Sequence, residues 1–291
     1  IIDGLFGTHR YLSAILSKYL YSFLIGSFEV LAFLVIFACV IFLIRRNILR
    51  IKRFWSNEMT SWPRNDANLI LLFEILLMLA FLMMNGCDKI LYDRSIYPYQ
   101  YNFSTPISQY LCLLLNSLSD VQLIFIERFC WWFHIIGVLC FMNYILISKH
   151  LHIFFAFPST YFSNLDALGK FNNLDSVTKE VKLMMDPNID PYSTQEPNDK
   201  ESFGAKDASD LNWVQLLNAY SCTECGRCTD SCPANFTGKL LSPRKILMDT
   251  RDRINEIGKN IRRNHKDNKS LLGDYITSEE IWACTSCNAC T

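Results

Sequence analysis

The chain has 291 residues, of which 51% are hydrophobic, 14% aromatic and 19% charged. The charged fraction is below the roughly 25% of ordinary soluble domains, and 28 basic residues balance 28 acidic ones. This composition excludes a disordered tail, and the zero net charge gives no field that would favour nucleic acid. The mean hydropathy of +0.14 is too high for most soluble proteins and too low for a membrane bundle alone, so it predicts two unlike halves.

Three apolar runs occupy the first half, at 19–44, 69–86 and 120–149. At roughly 1.5 Å per residue, a helix over the first run is long enough to cross a hydrocarbon core of roughly 30 Å. Three runs of this length favour membrane spans over a soluble helical core. The sequence therefore predicts a membrane domain over 1–158, with the third run as one long helix that begins at a cap formed by Ser119 or Asp120.

The loops between these runs differ in charge and predict an orientation. Six Lys and Arg residues lie between the first and second runs, whereas the loop after the second run carries only Lys89 and Arg94. By the positive-inside rule, the 45–66 loop is cytoplasmic, and so is everything that follows the third run. One acid lies in each of the first two runs, Glu29 and Glu74. A carboxylate exposed to lipid is costly, so both side chains are expected to face the interior of the helix bundle. We expect them to form structural hydrogen bonds there, and the alternative is a contact with a proton pathway or with quinone.

Two histidines of the third run suggest haem. His134 and His152 are 18 residues apart, which is about five helical turns and a rise of roughly 27 Å, close to one membrane thickness. If the helix continues that far, the two imidazoles share a face and could each be an axial ligand of a haem b. His150 points elsewhere and is the weaker candidate. The alternative is that these are only interfacial polar residues, because the second run offers no histidine as the opposite ligand.

Residues 159–210 are predicted to be a linker, and 211–291 a second domain with seven clustered cysteines. Asp210 is expected to cap a short helix that leads into the sequence CTECGRCTDSCP at 222–233. This C-x2-C-x2-C-x3-C-P pattern is typical of bacterial [4Fe–4S] ferredoxins, in which the Cys before Pro binds the other of two clusters. Zinc sites, the rival interpretation, usually pair two C-x2-C knuckles instead.

A second motif, CTSCNAC, closes the sequence at 284–290. Between the motifs, Ser242-Pro243 predicts a helix start, and Thr277 with Glu280 predicts a capping box. Crossed ligation then assigns one [4Fe–4S] cluster to the second motif and the Cys before Pro, namely Cys284, Cys287, Cys290 and Cys232. The other cluster takes Cys222, Cys225 and Cys228, and its fourth ligand is expected beyond Thr291, in a longer polypeptide of which this is an internal segment.

These motifs resemble those of the bacterial membrane-bound iron–sulfur oxidoreductases related to heterodisulfide reductase. The resemblance is carried by YSCTECGRCTDSCPAN, GKLLSPRKILMDTRDR and IWACTSCNAC, and in the membrane half by WWFH and SKHLH. It implies a mostly α-helical protein, in which a transmembrane bundle like the nitrate reductase gamma subunit precedes a two-cluster ferredoxin-type domain. It also implies the seven cysteines as cluster ligands, and His134 and His152 as residues of the haem-ligand helix.

The resemblance further implies an oxidoreductase of the inner membrane, which relays electrons between a cytoplasmic redox protein and haem b and quinone. Some members resemble the electron-transfer-flavoprotein:quinone oxidoreductase, so that flavoprotein is a candidate partner, and nucleic acid is not. Two alternatives stay open. The chain could be a non-catalytic membrane anchor with structural clusters, or a disulfide reductase that depends on cysteine-rich CCG domains absent from this sequence.

Overall fold

The computed structural model describes residues 15–96, 104–167, 170, 173–187 and 204–290, which form helices joined by loops. The fold is mostly α, as predicted, and the chain divides into one compact unit up to Ser148 and another from Lys149 onwards. The first unit contains α1 (Lys18–Leu43), α2 (Ser61–Asp93), α3 (Ser108–Leu115) and α4 (Asp120–Ile145). The second contains α5 (His152–Tyr161), α6 (Asp175–Met185), α7 (Trp213–Ser221), α8 (Arg227–Asp230), α9 (Pro233–Phe236), α10 (Pro243–Arg263), α11 (Leu271–Asp274) and α12 (Ser278–Trp282).

Among the described residues of the first unit, three helices are long and apolar enough to cross a membrane: α1 with its continuation to Ile48, α2, and α4. Of the predicted bounds, 69–86 is the least accurate, because α2 has 33 residues and begins at Ser61. At 1.5 Å per residue such a helix is about 50 Å long, and hydropathy detects only the part that matches the hydrocarbon core. The polar ends are helical as well, with Pro63 in the first turn, where a missing N–H costs nothing.

The third span is shorter than predicted. Ser119 caps α4 in a capping box with Gln122, as expected, but the helix ends at Ile145 rather than at 149. Tight turns follow, in which the Ile147 and Ser148 N–H groups bond the carbonyls of Tyr144 and Ile145 at 3.1 and 3.2 Å. The prediction of one helix over 120–149 is therefore too long, and the condition under which His134 and His152 would share a helix face is not met, because His152 begins a separate helix in the second unit.

Glu29 is fully buried and its carboxylate joins three parts of the first unit. One oxygen accepts from the Asn85 amide at 3.0 Å, and the other accepts from the Ile107 and Ser108 backbone N–H groups at 3.0 and 3.1 Å. The carboxylate thus serves the N-terminal N–H groups of α3. These contacts agree with the predicted structural role of Glu29, whereas the same role for half-buried Glu74 stays a prediction.

Helices α2 and α4 pack closely at Gly137, where an added Cβ would lie 2.6 Å from the Leu77 side chain. One turn further along α4, the Phe141 ring stacks on Phe73 with centroids 5.5 Å apart. The glycine lets the two backbones approach, and this approach brings His134, one turn before it, up to the carbonyl of Leu77.

In the second unit, α5 packs against α7. The Phe155 ring lies 6.2 Å from that of Tyr220, and the Ser159 hydroxyl bonds Asn218 at 2.9 Å. Residues 149–158 lie in the second compact unit, whereas the bounds of the predicted membrane domain, 1–158, stay a prediction. The predicted linker 159–210 is also more structured than expected, because it contains α6, while its residues 188–203 lie outside the described part of the chain.

Helix α10 is the longest element of the second unit and begins where predicted, with Ser242 as N-cap and Pro243 in the first position. On its inner face Arg253 is 2% exposed and bonds Asp207 at 2.7 Å and Asp267 at 2.9 Å. One guanidinium therefore ties the segment before α7 and the segment after α10 to the same helix. The hydrogen bond from Arg253 lowers the pKa of Asp207.

Candidate metal centre

Each cysteine motif follows a short capped helix. Asn212 caps α7 in a capping box with Gln215, and the helix ends directly at Cys222. The predicted cap, Asp210, instead accepts from the Lys206 and Asp207 N–H groups at 2.9 Å, so that prediction is wrong. The second motif follows α12, where Thr277 and Glu280 form the predicted capping box.

We call residues 222–228 the first loop and residues 284–290 the second loop. Both share one backbone feature, because the third and fifth positions of each C-x2-C-x2-C motif have positive φ. The φ values are 57° at Glu224 and 76° at Gly226, against 52° at Ser286 and 57° at Asn288. Gly and Asn tolerate this conformation, whereas Glu and Ser adopt it at a cost, as residues at functional sites often do.

The left-handed turns also give the two loops the same hydrogen bond to sulfur. The Glu224 N–H donates to the Cys222 Sγ at 3.4 Å, and the Ser286 N–H donates to the Cys284 Sγ at 3.4 Å. N–H groups aimed at thiolates are among the levers by which proteins stabilise iron–sulfur clusters. The first thiol of each motif is therefore prepared for the same role.

Cys232 leaves the first loop and approaches the second. Pro233 begins α9, and the buried Cys232 side chain lies in an apolar cluster with Ala234 and Leu241, against which Ala283 packs. Ala283 is the residue before Cys284. Burial raises the pKa of the Cys290 thiol, and the nearby thiols of Cys228, Cys284 and Cys232 raise it further. Cys232 therefore lies near the second loop, but Cys228 also lies near Cys290, so the crossed ligation stays a prediction.

The surroundings of the two loops differ. Burial raises the pKa of the Cys222 and Cys228 thiols in the first loop. In the second loop, hydrogen bonds from the Ala289 backbone and the Thr285 side chain lower the pKa of the exposed Cys287 thiol. The first loop is half-buried in the second unit, whereas all three cysteines of the second loop are exposed.

Glu224 is a residue that sequence reasoning missed. Its side chain is 2% exposed and forms ion pairs with Lys149, 9% exposed, and with Arg251 at 2.5 Å, 17% exposed. The carboxylate therefore ties the first loop to the segment after α4 and to α10. The sequence offered one signal of such a role, namely a charged residue between two cysteines of the motif. It gave no sign of the partners, which lie 75 and 27 residues away.

Arg244 adds a further cation beside the first loop. It is 1% exposed, and its guanidinium donates to the Glu224 carbonyl at 3.5 Å. Its backbone N–H donates to the Thr229 hydroxyl at 3.2 Å. A [4Fe–4S] cluster with four thiolates is an anion, so buried cations at this place offset its charge. The donor set, the aimed N–H groups and the cations all fit such a cluster.

Among the described residues, no three His, Cys, Asp or Glu side chains converge closely enough to hold a single metal ion. A [4Fe–4S] cluster takes one thiolate on each of four irons, so its ligands are spread around a cube. Within the second unit, the Cys222 thiol lies near that of Cys228 and the Cys228 thiol near that of Cys225. The Cys290 thiol lies near those of Cys228, Cys284 and Cys232, so the thiols of the two motifs neighbour one another.

The two candidate haem histidines each have one ring nitrogen held by a backbone carbonyl. His134 Nδ1 lies 2.9 Å from the Leu77 carbonyl, and His152 Nδ1 lies 2.9 Å from the Lys149 carbonyl. With Nδ1 as donor, Nε2 carries the lone pair that an axial ligand needs. Both rings are half-buried, but they belong to different units, so their relation as a stacked pair stays a prediction.

Comparison with known proteins agrees with these sites. Residues 221–291 match the 4Fe-4S dicluster domain family. The chain is 30% identical over 297 residues to a probable iron-sulfur-binding oxidoreductase, FadF, of Bacillus subtilis (strain 168), covering 90% of this chain and 37% of that protein. It is 26% identical over 225 residues to the EtfAB:quinone oxidoreductase of Syntrophomonas wolfei subsp. wolfei, covering 70% of this chain and 28% of that one.

A third relative is a probable membrane-anchored ferredoxin of Chromohalobacter salexigens, 28% identical over 103 residues, or 30% of this chain and 15% of that protein. No solved structure matches the chain. The chain spans about a third of the length of the first two relatives. The predicted resemblance is confirmed: the relatives are iron–sulfur oxidoreductases, and this chain carries their dicluster domain after three helices of membrane-spanning length.

Proposed function

We propose that the chain is the membrane-bound electron relay of a quinone-linked iron–sulfur oxidoreductase. Two [4Fe–4S] clusters in the second unit exchange electrons with a cytoplasmic redox protein on one side, and with haem b and quinone in the membrane on the other. The observation that carries this proposal is the pair of cysteine loops with matching left-handed positions, in a chain whose described residues include three helices of membrane-spanning length. Electron transfer between a soluble partner and a membrane carrier needs both parts.

Each residue of the candidate centre has a role in this proposal. Cys284, Cys287, Cys290 and Cys232 hold one cluster, and Cys222, Cys225 and Cys228 provide three ligands of the other. Such clusters, when bound, supply one-electron redox chemistry. The backbone N–H groups of Glu224 and Ser286 stabilise thiolate charge, and the buried cations Lys149, Arg251 and Arg244 offset the negative charge of the first loop.

His134 and His152 are the proposed haem b ligands. What supports this is the fixed Nδ1 of each ring, which orients the imidazole and leaves Nε2 for iron. For His134 a structural role would use the same hydrogen bond, so only the spectrum of a variant decides between the two roles. The stacked arrangement is not part of the proposal, because α4 ends at Ile145.

The partners and the location follow from the sequence and the relatives. The cationic 45–66 loop supports an inner-membrane protein with its iron–sulfur unit on the cytoplasmic side. One relative is named an EtfAB:quinone oxidoreductase. We therefore propose an electron-transfer flavoprotein as the cytoplasmic partner and quinone as the membrane substrate.

The proposal is tested on the full chain, purified anaerobically in detergent. We expect iron and acid-labile sulfide for two clusters, a b-type band in the reduced-minus-oxidised spectrum, and reoxidation of the reduced chain by a short-chain quinone. His134→Ala should remove b-haem absorbance and leave cluster iron unchanged. His265→Ala, at an exposed position of the second unit, is the control and should change neither.

Two results would contradict the proposal. A chain that lacks acid-labile sulfide carries no clusters. A chain that carries clusters but shows no haem band and is not reoxidised by quinone is the non-catalytic membrane anchor. An unchanged haem band in His134→Ala returns this histidine to a structural role.

A further inference from the structure

A polar cavity of about 190 Å³ lies in the first unit, where the chain leaves α1 and enters α2. Four residues of α2 line it, namely Ser61, Arg64, Asn65 and Asn68. Their spacing of i, i+3, i+4 and i+7 places them on one face of the helix. This face belongs to the polar first turns of α2, which precede the apolar run and extend beyond the hydrocarbon core. A row of hydrogen-bond donors therefore faces one cavity at the level of the membrane surface.

The opposite wall adds a second arginine. Arg46 and Asn47 line it from the turn after α1, and the Asn47 and Asn68 amides bond each other across the cavity edge at 3.1 and 3.2 Å. The Trp55 indole N–H donates to the Arg46 carbonyl at 2.9 Å. These contacts fix the two walls relative to one another, so the cavity is a built feature of the first unit.

Aromatic rings hold both arginines. The Arg64 guanidinium lies 4.7 Å from the centroid of the Trp55 ring, and the Arg46 guanidinium lies 4.8 Å from that of Phe54. A guanidinium stacked on a ring keeps its donors in its own plane, where they suit a phosphate or carboxylate oxygen. The cavity thus has two oriented cations.

The described lining consists of arginine, asparagine, serine and aromatic residues, without a carboxylate. Two acids lie close to the lining residues in sequence, Glu58 and Asp66, and neither is part of the lining. Asp66 is buried and accepts a hydrogen bond from the Tyr144 hydroxyl of α4. The lining therefore favours an anion. Its volume is below the roughly 300–1,000 Å³ of pockets that enclose a whole drug-sized ligand, so it suits a head group rather than a complete lipid or quinone.

We propose that this cavity binds a phosphate group at the membrane surface, with Arg46 and Arg64 as the charged donors and Asn65 and Asn68 as neutral ones. The ligand chemistry is shared by an anionic phospholipid head group and by free phosphate. Basic pockets between transmembrane helices are common places for anionic lipid head groups. The proposal goes beyond the electron relay and uses only its membrane insertion.

The test measures retained lipid by native mass spectrometry on the full chain in detergent. Phosphatidylglycerol and phosphatidylcholine with equal acyl chains are added separately, and inorganic phosphate is then added as a competitor. We expect phosphatidylglycerol to bind at least about tenfold more tightly than phosphatidylcholine. Displacement by millimolar inorganic phosphate identifies a free-anion site, and resistance to it identifies a lipid site, both of which support the phosphate chemistry.

The variants separate a built site from a diffuse positive surface. Arg46→Gln with Arg64→Gln removes two lining cations, whereas Arg45→Gln with Lys52→Gln removes two cations of the same loop that do not line the cavity. We expect the lining pair to lose about tenfold more affinity than the control pair. Asn65→Asp, which is nearly isosteric, should also abolish binding, because it places a carboxylate beside the anion.

Cluster iron and monodisperse elution show that each variant is folded, and keep this test separate from that of the electron relay. Any of three results would overturn the proposal. The first is an equal loss of affinity in the lining pair and the control pair, and the second is phosphatidylcholine binding as tight as that of phosphatidylglycerol. The third is unchanged affinity in Asn65→Asp.

Discussion

The two cysteine loops share their left-handed positions but not their environment. Each follows a short helix with a capping box, and each has left-handed residues at its third and fifth positions. The third residue of the first loop, Glu224, is buried among cations, whereas its counterpart in the second loop, Ser286, is exposed. Loop shape therefore follows from the motif alone, while the attachment of each loop follows from residues far away in sequence.

The difference shows that the conformation of a cysteine loop and the contacts that hold it to the rest of the second unit are separate properties. A small cluster domain cannot bury enough apolar surface to be held firmly by its core alone. The first loop is held by an ion-paired carboxylate, and the second is held to it through Cys232, which lies beside Ala283. Variants that touch ligands should affect the two loops alike, and variants that touch anchors should affect them differently.

The largest effect is expected for the ligands. Cys225→Ser and Cys287→Ser should each remove one cluster, so that each variant retains about half of the iron and sulfide of the parent chain. Cys140→Ser, at an exposed cysteine of the first unit, is the control and should retain all of it. Iron and sulfide analysis decides the matter. If either loop variant kept its full iron, that loop would not hold a cluster.

The next effect separates the loops at their third positions. Glu224→Gly and Ser286→Gly both relieve a left-handed conformation, which is worth about 1–2 kcal/mol for a residue with a side chain. Only the first also leaves Lys149 and Arg251 without their buried carboxylate, and such a loss costs about 3–5 kcal/mol. We expect Glu224→Gly to destabilise the chain by about 3 kcal/mol, and Ser286→Gly to be neutral or stabilising.

Urea titration of the detergent-solubilised chain, followed by cluster absorbance, measures both variants under one condition. Equal midpoints for the two glycine variants would mean that the Glu224 ion pairs do not anchor the first loop.

A smaller effect is expected at the caps, where the loops should again behave alike. Asn212→Ala and Thr277→Ala each remove the side chain that accepts from the first turn of the helix before a loop. Loss of an N-cap costs about 1 kcal/mol. The same urea titration should show this loss for both variants. Asp210→Ala, at the position that sequence alone favoured as a cap, should not reproduce the effect of Asn212→Ala on α7.

The smallest expected effect is a difference in reaction rates in the iron-free chain. The pKa of Cys287 is lowered by hydrogen bonds, and the pKa values of Cys222 and Cys228 are raised by burial. Below its pKa a thiol is mostly protonated, so near pH 7 a larger fraction of Cys287 is thiolate, the form that reacts. Iodoacetamide should therefore modify Cys287 severalfold faster, as measured by peptide mass spectrometry. Raising the pH should narrow the gap, and a gap that widened would contradict the assignment.

Features that depend on neighbouring residues could be predicted from the sequence, whereas contacts between residues far apart in sequence could not. Three predicted helix starts depend only on neighbours within a few residues, and the structure has them where they were predicted: the Ser119 cap, the Ser242-Pro243 start and the Thr277 capping box. The seven cysteines were likewise recognised from their local spacing, although their ligation of clusters stays a prediction. The role of Glu224 could not be predicted, because Lys149 lies 75 residues away.

The errors in the first half have a related cause. Hydropathy reports the apolar part of a helix but not where its hydrogen bonds stop, so the start of α2 at Ser61 and the end of α4 at Ile145 were missed. The Leu-Ile-Ser-Lys-His sequence after Ile145 has no glycine or proline to mark a helix end. The common helix face of His134 and His152 depended on a continuous helix, so the end of α4 at Ile145 removes that argument, and their roles as haem ligands stay a prediction.

The central claim is that the two loops form interlocked clusters, with Cys232 as a ligand of the second loop's centre. The most direct test is the electron paramagnetic resonance spectrum of the reduced Cys232→Ser chain, compared with those of Cys225→Ser and Cys287→Ser. The account predicts that Cys232→Ser gives the spectrum of Cys287→Ser, with the first loop's centre intact and the second damaged. A spectrum like that of Cys225→Ser would contradict it, and would show that each motif closes on its own cluster.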